Sequence, residues 1–220
     1  MVDILIARGI KLLVIACNTA TTAAIDVLKV KYPDLPIIGV IEPGVQAAIK
    51  TTNNNNILLL ATETTVRSEI YKTLIKSHLP TMRVNGLACG LFVALAEEGF
   101  ITGDVVERVI AQYLSHVDTL NYDTLLLGCT HYPVFKDLIQ AYVGNKVQVV
   151  DSSNETVKAV HLLLEAKGLF STSPSGDIRY LVTDLPERFT RVGEFFLKGS
   201  IHIDEVELVE LTSHNFSRRD

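Results

Sequence analysis

The sequence predicts an α/β fold with mostly parallel sheets. Three observations carry this: short runs that are apolar at consecutive positions, as in strands covered on both faces; segments with apolar residues three or four apart alternating with those runs; and capping or turn residues at the junctions. Taken in order, Ile4, Leu5 and Ala7 resemble the last two turns of a helix, with Arg8 in the final turn and Gly9 in the C-cap region. No N-cap precedes them, and so short a helix is marginal alone. Residues 11–16 follow as a strand. Apolar on both faces, it belongs at the centre of a sheet and calls for neighbours upstream, so the sequence reads as lacking a front end. Residues 19–30 are helical and 36–40 form a strand. The Asn53 to Asn56 tract reads as a solvated loop before a strand at 57–61. Helical periodicity covers 64–77, 104–117 and 133–143, with strands at 123–128 and 147–150. Ser152-Ser-Asn-Glu155 reads as a capping box for a helix over 154–166, leaving Asp151 at a strand-to-helix turn, where open α/β sheets bind ligands. After a Ser-Thr-Ser-Pro-Ser-Gly loop at 171–176, residues 178–182 read as a strand and 186–197 as a helix.

Composition narrows the function classes. At 220 residues the chain makes one large or two small domains, and 48% hydrophobic with 20% charged residues excludes a disordered or fibrous protein. The longest apolar runs are about six residues, too short to cross a bilayer. The start has neither a basic cluster nor a small-residue cleavage site, so the expected location is the cytoplasm. Twenty-five acidic against twenty basic residues give a net charge of -5, which argues against nucleic acid as a partner. A small anionic substrate remains compatible, since backbone N–H groups and hydroxyls can hold it. Three cysteines without a Cys-x-x-Cys pair suggest neither a disulfide framework nor a metal site.

The strongest internal signal is a repeat. Lys11-Leu-Leu-Val-Ile-Ala-Cys17-Asn-Thr19 and Asp123-Thr-Leu-Leu-Leu-Gly-Cys129-Thr-His131 share one layout: a buried strand, a cysteine at its C-terminus, hydroxyl or amide side chains, then a helical pattern. Both thiols should face helix N-termini, a position expected to lower their pKa from about 8.5 toward neutrality. Two opposed thiols have a specific use. Inverting a carbon centre requires taking a proton from one face and delivering one to the other, and a thiolate and a thiol exchange these roles at each turnover without a redox cofactor. For an amino acid the α C–H is weakly acidic, so the carboxylate must be closely hydrogen-bonded. Asn18, Thr19 and Thr130 are placed for that. A single strand-end cysteine is more often a small buried hydrophobe, but two in matching contexts favour function. His131, two residues after Cys129, can tune its protonation. Cys89 has no repeat partner and reads as structural, and Glu97 and Glu98 read most simply as solvated charges.

At the cysteine segments the chain resembles the glutamate racemases, cofactor-independent enzymes that supply D-glutamate for bacterial peptidoglycan. The motifs are Ile15-Ala-Cys-Asn-Thr-Ala20, Gly39-Val-Ile-Glu-Pro-Gly44, Ala88-Cys-Gly-Leu-Phe-Val93 and Leu127-Gly-Cys-Thr-His-Tyr-Pro133. The resemblance implies two pseudo-symmetric α/β domains, 1–41 with 152–220 and 42–151, with glutamate in the cleft between them. It implies Cys17 and Cys129 as the catalytic bases, His131 as the histidine assisting the second, and Asn18, Thr19, Thr62, Thr65 and Thr130 as substrate-binding residues. Glu97 matches a cleft glutamate. No cofactor, metal, nucleic acid or membrane is implied, and a homodimer is compatible. Gly90 stands where the family has proline, and the family's opening Asp-Ser-Gly turn and Pro-Tyr-Gly segment have no counterpart here. Two alternatives therefore stay open: a shortened, catalytically impaired remnant or ligand-binding module, and a racemase of aspartate or another amino acid.

Overall fold

The computed structural model describes residues 1–173 and 176–211, and within them two compact units, Lys11–Phe170 and a smaller one of Met1–Ile10 with the residues from Ser171 onward. The chain opens with α1 (Val2–Ala7), which belongs to the smaller unit and ends at Gly9, whose φ of 76° supplies the left-handed turn.

In the larger unit, β1 (Leu13–Ile15) leads into α2 (Asn18–Lys31), and β2 (Ile37–Gly39) into α3 (Ile41–Thr51). β1 and β2 pair in parallel, Leu13 with Ile37 through Ile15 with Gly39. The sequence expects a central strand at β1, but among the described residues it pairs only with β2, and Val14 is 37% exposed. An apolar run shows that a strand can be covered; it does not count its neighbours. Then come β3 (Asn56–Ala61), α4 (Glu63–Arg67), α5 (Ile70–His78), β4 (Arg83–Ala88), α6 (Leu91–Glu97), α7 (Asp104–Leu114), β5 (Thr124–Gly128), a 3₁₀ turn at Tyr132–Phe135, α8 (Lys136–Val143), β6 (Gln148–Asp151) and α9 (Ser153–Ala166).

The second sheet has the order β4-β3-β5-β6, all parallel. β3 is buried along its whole length, because both faces are covered. Ile57, Leu59 and Ala61 pack with Ile41, Val45 and Ala48 of α3, Tyr71 and Ile75 of α5, and Leu126 of β5. Leu58 and Leu60 point to the other face and are equally dry. Each such leucine contributes about 1.5–3 kcal/mol by leaving water. Further along the chain, the Phe92 ring meets those of Tyr113, Tyr132 and Phe135 at 5.2, 5.4 and 5.2 Å.

Several local expectations change. The helix over 64–77 is two helices, because Glu69 adopts φ 51° between α4 and α5. Ser68 competes for the backbone there, donating to the Thr65 carbonyl at 2.8 Å and accepting from Ile70 N–H at 3.4 Å. The capping box does not form: Ser152 is already helical and makes no cap bond, while the Asp151 carboxylate accepts from Ser153 N–H at 2.9 Å and from Lys136 at 2.8 Å. Glu155 instead binds Lys50 and Lys158, at 2.6 and 2.7 Å. Asp151 does stand at the strand-to-helix turn. Nor is the asparagine tract wholly solvated, since Asn56 is buried at the start of β3. The backbone N–H groups of Asn53 and Asn54 each donate to the Asp123 carboxylate at 2.7 Å, and Thr52 donates at 2.6 Å.

In the smaller unit, β7 (Tyr180–Val182) pairs in parallel with β8 (Val206–Leu208), and α10 (Pro186–Leu197) lies between them in sequence. Pro186 opens the helix at the position where proline fits without losing a bond. Arg8, just past α1, forms an ion pair with Glu207 of β8.

The Asp123 loop clamp is testable. Burial pushes the Asp123 carboxyl up, but the bonds from Thr52, Asn53, Asn54 and Thr124 outweigh it and the net shift is down. A carboxyl lowered in the folded state stabilises above the unfolded value near 4 and loses that contribution as pH falls through the folded value. Asp123→Asn should therefore cost about 1–2 kcal/mol at pH 7, and the gap from the parent should close in acid. Urea unfolding from pH 7 to pH 2.5 measures this; a gap independent of pH would contradict it.

Candidate active site

β3 pairs with β4 on one side and β5 on the other, so the order of connection reverses at β3 and a crevice opens at the C-terminal ends of β3 and β5. Ala61 and Gly128 are partners in register there. The residues that follow them, Thr62 and Cys129, must leave the sheet side by side. Gly128 is required at this point, because a Cβ on it would stand 2.6 Å from Leu59 Cδ1 and 3.2 Å from the Leu60 carbonyl oxygen.

Cys17 is the N-cap of α2, with extended backbone, and its Sγ accepts from Ala20 N–H at 3.5 Å. Its neighbour Asn18 is buried and accepts a 2.5 Å hydrogen bond from the Tyr71 hydroxyl at Oδ1. One residue on, Thr19 meets the start of α4. Its Oγ1 lies 2.9 Å from that of Thr62 and 3.4 Å from that of Thr65, and the latter two are 3.1 Å apart. Thr62 caps α4 by accepting from Thr65 N–H at 3.4 Å. Three hydroxyls from the starts of α2 and α4 thus form a neutral cluster able to donate to a carboxylate.

Cys129 is free and buried at 7% exposure, whereas Cys17 is free and exposed. His131 Nδ1 is 3.9 Å from Cys129 Sγ, and its Nε2 is 3.3 Å from Glu97 Oε1, on α6. Glu97 is therefore not a bystander charge: it holds one ring nitrogen while the thiol faces the other. The expectation of a lowered thiol pKa fails at Cys129. Burial pushes it up, the backbone N–H groups of His131 and Tyr132 pull it down, and a negative charge on Cys17 raises it again; the net direction is up. The helix N-terminus alone did not decide it, because the sulfur is out of water. A negative charge on Cys17 disfavours a second one on Cys129.

The structure thus brings together Thr19 with Thr62 and Thr65, and Cys129 with His131 and Glu97, while Cys17 stands at the start of α2 just before Asn18 and Thr19. Thr130 is exposed on the turn after Cys129. Cys89 is fully buried, its thiol pushed up to about 12 by burial while it donates to the Leu87 carbonyl at 3.6 Å. Its carbonyl accepts from the Tyr132 hydroxyl at 2.8 Å, so its segment braces the turn below His131. Tyr71 is the polar residue the sequence reading missed. Ile70, Tyr71, Leu74 and Ile75 look like a helix core stripe, and the only signal was a hydroxyl needing a partner in a dry interior. A groove of about 680 Å³ opens further along α2, at Thr21, Thr22 and Ile25, but neither cysteine lines it. Among the described residues no three His, Cys, Asp or Glu side chains are grouped as metal ligands, and no helix is long and apolar enough to cross a membrane.

Residues 1–160 match the family model described as Asp/Glu/Hydantoin racemase. The glutamate racemase of Geobacter metallireducens is 42% identical over 198 residues, covering 90% of this chain and 73% of that protein. Among solved structures, glutamate racemase from Francisella tularensis in complex with D-glutamate superposes with a TM-score of 0.88 at 36% identity, covering 96% of this chain and 78% of that one. A glutamate racemase isoform from Bacillus anthracis gives 0.89 at 31% identity with the same coverage.

The three thiols should label in a fixed order with iodoacetamide in the native state, read by mass spectrometry of the peptides. Exposed Cys17 reacts first and Cys129 later. Cys89, at about 12, holds roughly one ten-thousandth thiolate at pH 8 and labels only on unfolding. Cys89 labelling alongside Cys17 in the folded protein would refute this placement.

Proposed function

This chain belongs to the Asp/Glu/Hydantoin racemase family, among its glutamate racemases, and from that we propose that it interconverts L- and D-glutamate by proton transfer between Cys17 and Cys129, without a cofactor. The reading rests on one observation: two thiols follow parallel strands, Cys17 just before Thr19 and Cys129 leaving the sheet beside Thr62, and the Thr19 and Thr62 hydroxyls that join the two segments are 2.9 Å apart. In one direction a thiolate takes the α-proton and forms an S–H bond, while the C–H electron pair passes into the carboxylate-stabilised carbanion. The opposite thiol gives its proton to the other face, forming the new C–H bond and leaving a thiolate behind. Return starts from that swapped state.

The threonine hydroxyls, with Asn18 and Thr130, hold the substrate carboxylates and favour the enolate-like charge that grows there. His131 shuttles and stabilises the proton at Cys129, and Glu97 fixes the tautomer of the ring. Burial raises the Cys129 pKa, which suits a resting acid. The proposal keeps the two-part reading of the chain, with 1–41 and 152–220 carrying the first thiol and 42–151 the second. It also assigns the protein to the cytoplasm and to the supply of D-glutamate for peptidoglycan, and is compatible with a homodimer.

Incubation with L-glutamate in D₂O, followed by NMR of the α-proton and chiral analysis, tests it. The parent should exchange and racemise, and Cys17→Ala and Cys129→Ala should each lose about 10²–10⁴-fold in racemisation. His131→Asn and Glu97→Gln should lower kcat by about ten-fold or more, the histidine change being the larger. Binding of glutamate without exchange in the parent would overturn the reading in favour of a ligand-binding module, and exchange of aspartate in preference to glutamate would overturn the substrate.

A further inference from the structure

Tyr71 is 1% exposed, sits in the α3–β3–α5 core, and spends its hydroxyl on a side chain in place of a backbone group. Its partner is the amide of Asn18, next to Cys17, and the 2.5 Å bond runs to Oδ1, so the hydroxyl is the donor. The surrounding chain is shaped to admit it: a Cβ at Gly44, in the first turn of α3, would stand 2.8 Å from the Tyr71 hydroxyl oxygen. The beginnings of α2, α3 and α5 therefore meet at one phenol group. Tyr71 stays protonated, because burial and the charge of Cys129 both disfavour phenolate.

A buried amide can be turned either way by exchanging its oxygen and nitrogen, and the two orientations offer a ligand opposite chemistry. With Oδ1 engaged by the Tyr71 hydroxyl, the amide has its N–H₂ end left for a ligand. We propose that Tyr71 is a positioning residue of this site, acting through Asn18: its hydroxyl sets the amide so that Nδ2 donates to the substrate carboxylate beside the threonine hydroxyls. The proposal rests on the racemase reading above. It concerns substrate binding more than the proton transfers, so its mark is a change in KM with little change in kcat.

The test compares Tyr71→Phe, Asn18→Ala and the double variant in full-length protein, measuring KM and kcat for both enantiomers and the Kd of D-glutamate by calorimetry. Tyr71→Phe should raise KM and Kd by about ten-fold, as expected for loss of one hydrogen bond to a charged group, with kcat within about three-fold of the parent. On Asn18→Ala it should add nothing, since both changes remove the same interaction, whereas Tyr71→Phe and Thr62→Val should multiply. Gly44→Ala, which keeps the hydroxyl but crowds it, should raise KM in the same way and serves if Tyr71→Phe does not fold. Parental KM and Kd in a less heat-stable Tyr71→Phe, or an effect that multiplies with Asn18→Ala, would overturn the proposal while leaving the racemase reading intact. A parent that neither turns over nor binds glutamate would overturn both.

Discussion

The parallel pairing of β3 with β4 on one side and β5 on the other governs what the rest of the molecule can do. A parallel sheet sends all its chains out at the same edge, and the reversal at β3 separates the helices above that edge, so side chains emerging from β3 and β5 share a crevice. The Ala61–Gly128 register then places Thr62 and Cys129 abreast, to within one residue. A slip of one position would turn one of them into the core. Burial of β3 on both faces resists such a slip, since Leu58, Leu60 and their alternates would all change sides.

The two ends of this sheet divide the work. At the N-terminal edge, the Asp123 carboxylate gathers the loop before β3 with three hydrogen bonds and takes a further one from the Thr124 hydroxyl, an arrangement that ties down the chain locally. At the C-terminal edge, by contrast, polar groups are held by one another in short chains: Thr19, Thr62 and Thr65; Tyr71 and Asn18; Cys129, His131 and Glu97. These groups are mostly neutral. A hydroxyl or amide gives up little hydration on burial compared with a lysine or arginine, so a protein of net charge -5 can receive an anion without burying a cation.

The thiols show how burial and charge act together. Cys17 stands exposed as a helix N-cap, while Cys129 is dry and its ionisation is disfavoured both by burial and by charge on Cys17. Similar local sequences thus produce unlike environments. Burial of one thiol and exposure of the other make the pair asymmetric, with the proton held more tightly at Cys129 than at an ordinary thiol.

By itself the sequence determined the α/β class, the dry strands β3 and β5, helices such as α2, α9 and α10, and the repeated strand–cysteine layout that singles out Cys17 and Cys129. Those features are encoded locally, in apolar runs, helical spacing and neighbouring residues. Arg83–Ala88 was not legible as β4 because its residues are not a continuous apolar run and alternate in exposure, and α3 was hidden by Pro43 and Gly44, a pair that reads as a turn. Glu97 against His131 spans 34 positions and Tyr71 against Asn18 spans 53, and no local pattern encodes which of many polar groups will meet. The direction of the Cys129 shift likewise depended on how much water its neighbours exclude. Only the tertiary structure decided these, because contact and dielectric are properties of packing between segments distant along the chain.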